Sequence, residues 1–314
     1  MLKYLVILLN DNSVSYCHYN NNNESNMMPL DTLKKGILFA MKNDLKIQYV
    51  LPECDLPSDY INLIESMFHD NIGPLKQSKN SEIIVANSFD ELMSNIDMLD
   101  SDKRYLVRTT IADFFNEYGL MKDLFKKDIN ANVVFTDVEN FTDDKIDNYS
   151  AVLDDLKQSL IDSFQKGHNV NTNLITDRIA LEEMNNCGAG ETNITLAPNG
   201  YFYSCPAFYY SKEPYYELGN INDGLRILNK ELYKLDHSPL CKRCDAYHCK
   251  RCVWLNKKLT CEINIPSRQQ CLMAHIERNT SKIILDDFHK QNLLKEKNIS
   301  KIDYLDPFEV YNNI

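Results

Sequence analysis

The chain has 314 residues, 44% of them hydrophobic and 10% aromatic, which supports a sizeable folded core and excludes a disordered polymer. Its formal net charge of −11 leaves no global basic footprint for nucleic acid. The apolar run Tyr4 to Leu9 is far too short to span a bilayer and lacks the flanks of a signal peptide. With ten cysteines in the chain, the expectation is a reducing, cytoplasmic setting with no membrane partner.

Tyr4–Leu9 reads as a first buried strand. Asp31 is placed to cap a helix with Leu33, Ile37, Ala40 and Met41 on one face. Ile47–Leu51 predicts the next strand and Tyr60–Met67 the next helix. Ser81–Ala86 is rich in strand formers, and Ser88-x-x-Glu91 is a capping box that opens a further helix. Tyr105–Thr110 predicts a strand, followed by one helix from about Ile111 to Phe125. Asn132–Thr136 is the next strand, and Thr142 caps a long helix carrying Ile146, Tyr149, Leu153, Leu156, Leu160 and Phe164 at helical spacing. Leu174–Thr176 completes six β/α alternations, the pattern of a parallel sheet with helices outside it. Asn199-Gly200, between Ile194–Ala197 and Tyr201–Cys205, is a two-residue hairpin signal that places Cys205 in the returning strand. Helices are expected over 224–235 and Leu272–Leu285, before a polar tail.

Eight of the ten cysteines fall between Cys187 and Cys271. Four form a knot, Cys241-x2-Cys244-x4-Cys249-x2-Cys252, preceded by Cys187 and Gly200-x4-Cys205 and followed by Cys261 and Cys271. A C-x2-C turn points two thiolates inward, so two such pairs side by side are a strong metal-ligand signal. Disulfides two residues apart are strained, and nothing here indicates export. Four thiolates suit either tetrahedral zinc or an iron–sulfur cluster, and spacing alone leaves both open.

The arrangement Cys187…Gly200-x4-Cys205, the knot and a distal Cys271 resembles the SPASM domain of radical-SAM peptide maturases. Leu196-Ala-Pro-Asn-Gly200, Ser204-Cys-Pro206 and Leu218-Gly-Asn-Ile221 resemble its hairpin and strand signatures. Ser13-Val-Ser-Tyr-Cys-His18, Cys205-Pro-Ala-Phe-Tyr-Tyr210, Cys252-Val-Trp-Leu-Asn256 and Pro266-Ser-Arg-Gln-Gln-Cys271 look most like the maturases of Cys-x-x-x repeat peptides. The knot departs from the family pattern, with four and two intervening residues where five and three are usual. The resemblance implies two auxiliary [4Fe–4S] clusters. Cys187, Cys205 and Cys252 correspond to three ligands of the first cluster, and Cys241, Cys244, Cys249 and Cys271 to the second. The fourth position of the first cluster is expected to be open to exchange, with Cys261 or a carboxylate such as Glu182 or Glu183 as alternatives.

The implied organisation is an α/β domain over 1–180 like a partial (β/α)6 barrel, a SPASM-like domain over 181–276, and a C-terminal helix and tail over 277–314. The family's SAM-cleaving loop, C-x3-C-x2-C, aligns here with Asn10, Val14 and Cys17, so two of three thiolates are missing. Leu51-Pro-Glu-Cys-Asp55 stands in place of the glycine-rich SAM segment, with only Glu53 reminiscent. Bound SAM and lone SAM cleavage are therefore not expected, and Cys17 and Cys54 read as two buried or half-buried thiols. The implied role is maturation of a ribosomally made, cysteine-rich precursor peptide, as maturase or accessory subunit, with a radical-SAM partner. The alternative is a zinc-binding structural or adaptor protein without redox function.

Lys242, Arg243, Lys250, Arg251, Lys257 and Lys258 surround the knot against a single acid, Asp245, a charge balance that suits an anionic cluster. His248 is expected to face solvent rather than ligate. The run Tyr201, Phe202, Tyr203, Phe208, Tyr209 and Tyr210 reads as hairpin core.

Overall fold

The computed structural model describes residues 1–22, 24–294 and 299. The expected polar tail lies mostly outside these residues. In chain order the strands are β1 (Tyr4–Leu8), β2 (Lys46–Val50), β3 (His69–Pro74), β4 (Ile83–Ala86), β5 (Arg104–Thr109), β6 (Asn130–Phe135), β7 (Asn193–Leu196), β8 (Phe202–Tyr203), β9 (Gly219–Asn220) and β10 (Gly224–Leu225). The helices are α1 (Leu30–Lys42), α2 (Ser58–Ile64), α3 (Phe89–Met93), α4 (Ile111–Glu117), α5 (Gly119–Lys126), α6 (Ile146–Gln165), α7 (Asp177–Ala180), α8 (Pro206–Tyr210), α9 (Val253–Thr260) and α10 (Arg268–Lys290). The architecture is mixed α/β with largely parallel strand pairing. Among the described residues no helix is long and apolar enough to cross a membrane.

Two compact units share the chain discontinuously. The first is Met1–Ala86 with Gly188–Lys234, and the second is Asn87–Cys187 with Leu235 onward. In the first unit the strand order is β4-β3-β2-β1-β7-β8, parallel except for the β7–β8 hairpin. Leu5, Ile7, Ile47, Tyr49, Ile194 and Leu196 alternate into one core against Leu33, Ile37 and Ala40 of α1. Asp31 does not cap this helix: Pro29 holds that position, and Asp31 instead pairs with Lys35 at 2.6 Å one turn on. Met41, expected on the buried face, is exposed. The turn between β7 and β8 has Pro198 and Asn199 as its central pair, closed by Gly200 N–H donating to the Ala197 carbonyl at 2.9 Å. Gly200 follows at φ +81°, one residue beyond the two-residue turn expected from Asn199-Gly200. The expected helix over 224–235 is absent. Gly224 and Asn229 both take left-handed φ, which breaks the helix before it nucleates.

In the second unit β5 and β6 pair in parallel, and α5 and α10 pack on α6. Tyr149 of α6 sits among Phe114, Phe135 and Phe141, with ring centroids 5.5–6.2 Å away. The single helix expected over Ile111–Phe125 is divided at Tyr118 into α4 and α5. Ser88 does accept from the Glu91 N–H at 3.0 Å, as a capping box requires. The expected strand at Leu174–Thr176 is a turn into α7. Its neighbours run beside β6 on side-chain bonds instead of a backbone ladder. Asn171 and Asn173 N–H groups donate to the Asn130 and Asn132 side chains at 2.8 Å, and the Asn173 amide clasps Val133 N–H and C=O at 2.8 Å each. Asparagine amides thus satisfy backbone groups on that side of β6.

Candidate metal centre

The knot has no regular secondary structure, so local hydrogen bonds must shape it. Ser238 C=O accepts from Cys241 and Lys242 N–H at 3.2 and 3.1 Å, starting the first turn. Cys244 N–H returns to Cys241 C=O at 3.0 Å, and Cys249 N–H to Ala246 C=O at 3.0 Å. The Ala246 N–H donates to Cys244 Sγ at 3.4 Å, a bond that favours the thiolate. Arg251, at φ +45° and buried, donates through its guanidinium to Ser238 Oγ at 2.7 Å, tying the end of the knot to its beginning. Cys252 then takes the N-cap position of α9, and exposed Cys261 ends that helix at φ +62°.

Cys241, Cys244, Cys249 and Cys271 line one cavity in the second unit, together with Arg251 and His275. Its wall is otherwise largely apolar, formed by Met184, Leu240, Ala246, Pro266 and Ala274. Cys271 and His275 are one turn apart on α10 and so project from the same face. His275 Nε2 lies 3.5 Å from Cys244 Sγ. Burial pushes the Cys249 thiol up to about 12 and the Cys241 thiol up to about 11, the latter partly offset by the Arg251 charge. Four thiols around one largely apolar cavity, one already accepting a backbone N–H, form a donor set suited to thiolate-bound iron or zinc. Among the described residues no three Cys, His, Asp or Glu side chains close on a single point that would hold one metal ion.

The polar groups that fix this loop were not expected from the sequence. Asp245 is fully buried, and its Oδ1 meets Arg278 Nη1 of α10 at 2.8 Å, with Lys282 Nζ 3.4 Å from Oδ2. Arg178 donates to the Asp245 carbonyl at 2.5 Å and stacks over the Tyr247 ring at 4.2 Å. His248, expected in solvent, is buried and bonded through Nε2 to Glu277 Oε2 at 2.9 Å. The other oxygen of Glu277 accepts from the Tyr149 hydroxyl at 2.5 Å. The helix supplying Cys271 therefore grips the knot at two further points. A stripe at helical spacing, Cys271, His275, Arg278 and Lys282, was the available sequence signal.

Of the remaining site residues, Cys187 is exposed, and its N–H donates to the Lys250 carbonyl at 3.2 Å, beside the knot. Cys205 is half-buried at the N-cap of α8 in the first unit, whereas Cys187, Cys252 and Cys261 belong to the second. In the loop after β1, Asn10 and Val14 are buried and Cys17 is half-buried, whereas Cys54, expected buried or half-buried, is exposed. Asn10 bonds internally, receiving the Asn12 N–H at 3.1 Å and placing its amide 3.3 Å from Ser25 Oγ. Of the six basic residues near the knot, only Arg251 is buried.

No protein-family model matches the sequence, and no curated protein resembles it at a significant level. Among solved structures, the chain is similar to SuiB of Streptococcus suis bound to precursor peptide SuiA, at 12% identity and a TM-score of 0.48, covering 74% of this chain and 64% of that one. SuiB bound to S-adenosylmethionine matches at 14% identity and a TM-score of 0.44, covering 69% of this chain and 63% of that one. A further SuiB structure matches at 11% identity and a TM-score of 0.39, covering 74% and 65%. The chain thus spans less than two thirds of the length of these structures.

Proposed function

We propose that this chain is an iron–sulfur protein that takes part in maturing a ribosomally made, cysteine-rich peptide, with a radical-SAM partner enzyme supplying the radical. The observation that carries the cluster reading is the single cavity lined by Cys241, Cys244, Cys249 and Cys271. A tetrahedral zinc needs its four sulfurs about 3.8 Å apart around one ion. A [4Fe–4S] cluster takes one thiolate on each of four irons, and the four thiols lining this cavity match that number.

When bound, such a cluster would supply one-electron chemistry. The chain's own residues provide the rest. Asp245, Arg278 and Glu277 hold the knot against α10, the apolar wall excludes water, and Arg251 places a buried cation beside Cys241. Cys187, Cys205 and Cys252 are the proposed ligands of a second cluster whose fourth position is open to a peptide thiolate. The SPASM-like segment over 181–276 and the barrel-like reading of 1–180 belong to the same proposal, as does the Cys-x-x-x repeat substrate, and each rests on the sequence resemblance.

Anaerobic purification followed by iron, sulfide and zinc quantitation and electron paramagnetic resonance tests the reading. Brown protein with about eight irons per chain is expected. Colourless protein carrying stoichiometric zinc would establish the structural or adaptor alternative.

A further inference from the structure

The first unit contains a buried carboxylate that the cysteine chemistry does not use. Asp11, just beyond the C-terminal end of β1, is 6% exposed. The Asn26 amide donates to its Oδ2 at 2.8 Å, and the Tyr209 hydroxyl donates to its Oδ1. Both partners are neutral, and among the described residues no cation pairs with Asp11. A carboxylate offers about four acceptor sites, so Asp11 keeps about half of them. Burial, and after it the hydrogen bond to Asp11, pushes the Tyr209 hydroxyl well above its usual range, so it remains a donor. A buried carboxyl that has only neutral partners and open acceptor sites can take a further donor.

Asp11 forms part of the wall of a cavity of about 350 Å³ that lies wholly in the first unit. That volume is in the range occupied by small ligands and single side chains. Glu24, Glu213 and Glu217 add three more carboxylates, against Lys212 alone, which stands 3.4 Å from Glu24. Asn199 and Tyr203 complete the lining, the Asn199 amide donating to the Tyr203 hydroxyl at 2.9 Å. Asp11 follows β1 and Asn199 follows its parallel neighbour β7, so the cavity opens at the carboxyl ends of adjacent parallel strands. That is where open α/β sheets bind ligands. Among the described residues these carboxylates do not converge on one metal-ion position. The tyrosine rings add faces that attract organic cations.

We propose that this cavity binds a ligand bearing a guanidinium or primary ammonium group, with Asp11 as its buried anchor and Glu213 and Glu217 steering it from the rim. A lysine or arginine side chain of a peptide has this chemistry. The proposal does not rest on the presence of a cluster on the cysteines.

Calorimetric titration of the full chain with butylguanidinium and butylammonium, and with butyrate as the anionic control, tests this directly. Saturable binding of at least one cation is expected, weakening as salt rises, with no heat from butyrate. Asp11→Asn keeps the shape of the side chain and should weaken binding by about tenfold or more. The rim pair Glu213→Gln with Glu217→Gln should weaken it several-fold, and keeps the test decisive if the buried variant misfolds. Absence of cation binding at millimolar concentration would overturn the proposal, as would affinity unchanged in the rim variant. Calcium binding at Asp11 without binding of either organic cation would also overturn it.

Discussion

Replacing Arg278 by Met tests what fixes the four-cysteine loop. Arg278 and Asp245 are both 0% exposed and meet at 2.8 Å, so the substitution strands a fully buried carboxylate. Breaking a buried ion pair from one side costs about 3–5 kcal/mol. Lys282 remains 3.4 Å away on a side chain 27% exposed, and recovers part of the attraction. The expected destabilisation of the metal-free protein is therefore at the lower end, about 3 kcal/mol. Adding Asp245→Asn removes the stranded charge. The double variant should then be more stable than the sum of the single costs by about 2 kcal/mol. Urea unfolding followed by fluorescence suits this test, because the chain has one tryptophan, Trp254, in α9 two residues past Cys252. Its signal reports the second unit and the loop itself. A cost below about 1 kcal/mol for Arg278→Met, or strict additivity of the two substitutions, would refute the reasoning.

Four further outcomes are expected. Cys244→Ala should remove a whole cluster's iron, because no neutral side chain replaces that thiolate, and unchanged iron by colorimetric assay would sink the ligand assignment. Cys261→Ala should leave iron unchanged and keep a spectrum that shifts when a cysteine-containing peptide is added; loss of a whole cluster would make Cys261 the fourth ligand instead. Arg251→Gln should lower the midpoint potential in redox titration, whereas Lys250→Gln, on the exposed surface, should not, and equal effects would show that burial does not select the cation. The last concerns pH. Cys241 and Cys249 titrate near 11 and 12 in the folded metal-free chain, against an ordinary 9, so unfolded thiols lose protons first as pH rises. Stability from these groups is complete below pH 9 and falls through 11 to 12, by about 1.4 kcal/mol per pH unit for each thiol while only the unfolded state is ionised. A Cys241→Ser, Cys249→Ser variant should lack that slope, and superimposable pH profiles would contradict it.

Strands whose apolar residues run together, such as β1, β2 and β5, were legible because burial demands that pattern. β3 was not, since His69-Asp-Asn-Ile-Gly-Pro74 carries almost no strand signal. It is held by pairing on both sides, and Gly73 is needed there because a Cβ would meet Ser81 Oγ at 2.3 Å. Leu174–Thr176 misled in the opposite direction: Leu174 and Ile175 are buried, but asparagine side chains stand in for the backbone ladder of a strand. The thiols of the candidate site were legible because ligand spacing is local. The charges that hold them were not, because Asp245 and Arg278 are 33 residues apart in sequence and meet only through the packing of α10.

The same contrast changes the meaning of the basic residues around the knot. Read along the chain, six cations surround four thiols as one group. In the fold, Lys242, Arg243, Lys250 and Lys258 are exposed, where water and salt screen them within about 10 Å. Arg251 alone is inside, close enough to Cys241 to oppose the effect of burial on that thiol. Its position demands a left-handed backbone at a non-glycine residue and a guanidinium fixed on Ser238. A strained residue persists only where its surroundings over-determine it. Here those surroundings include the Ser238 turn that starts the knot, so the cation and the loop geometry depend on each other.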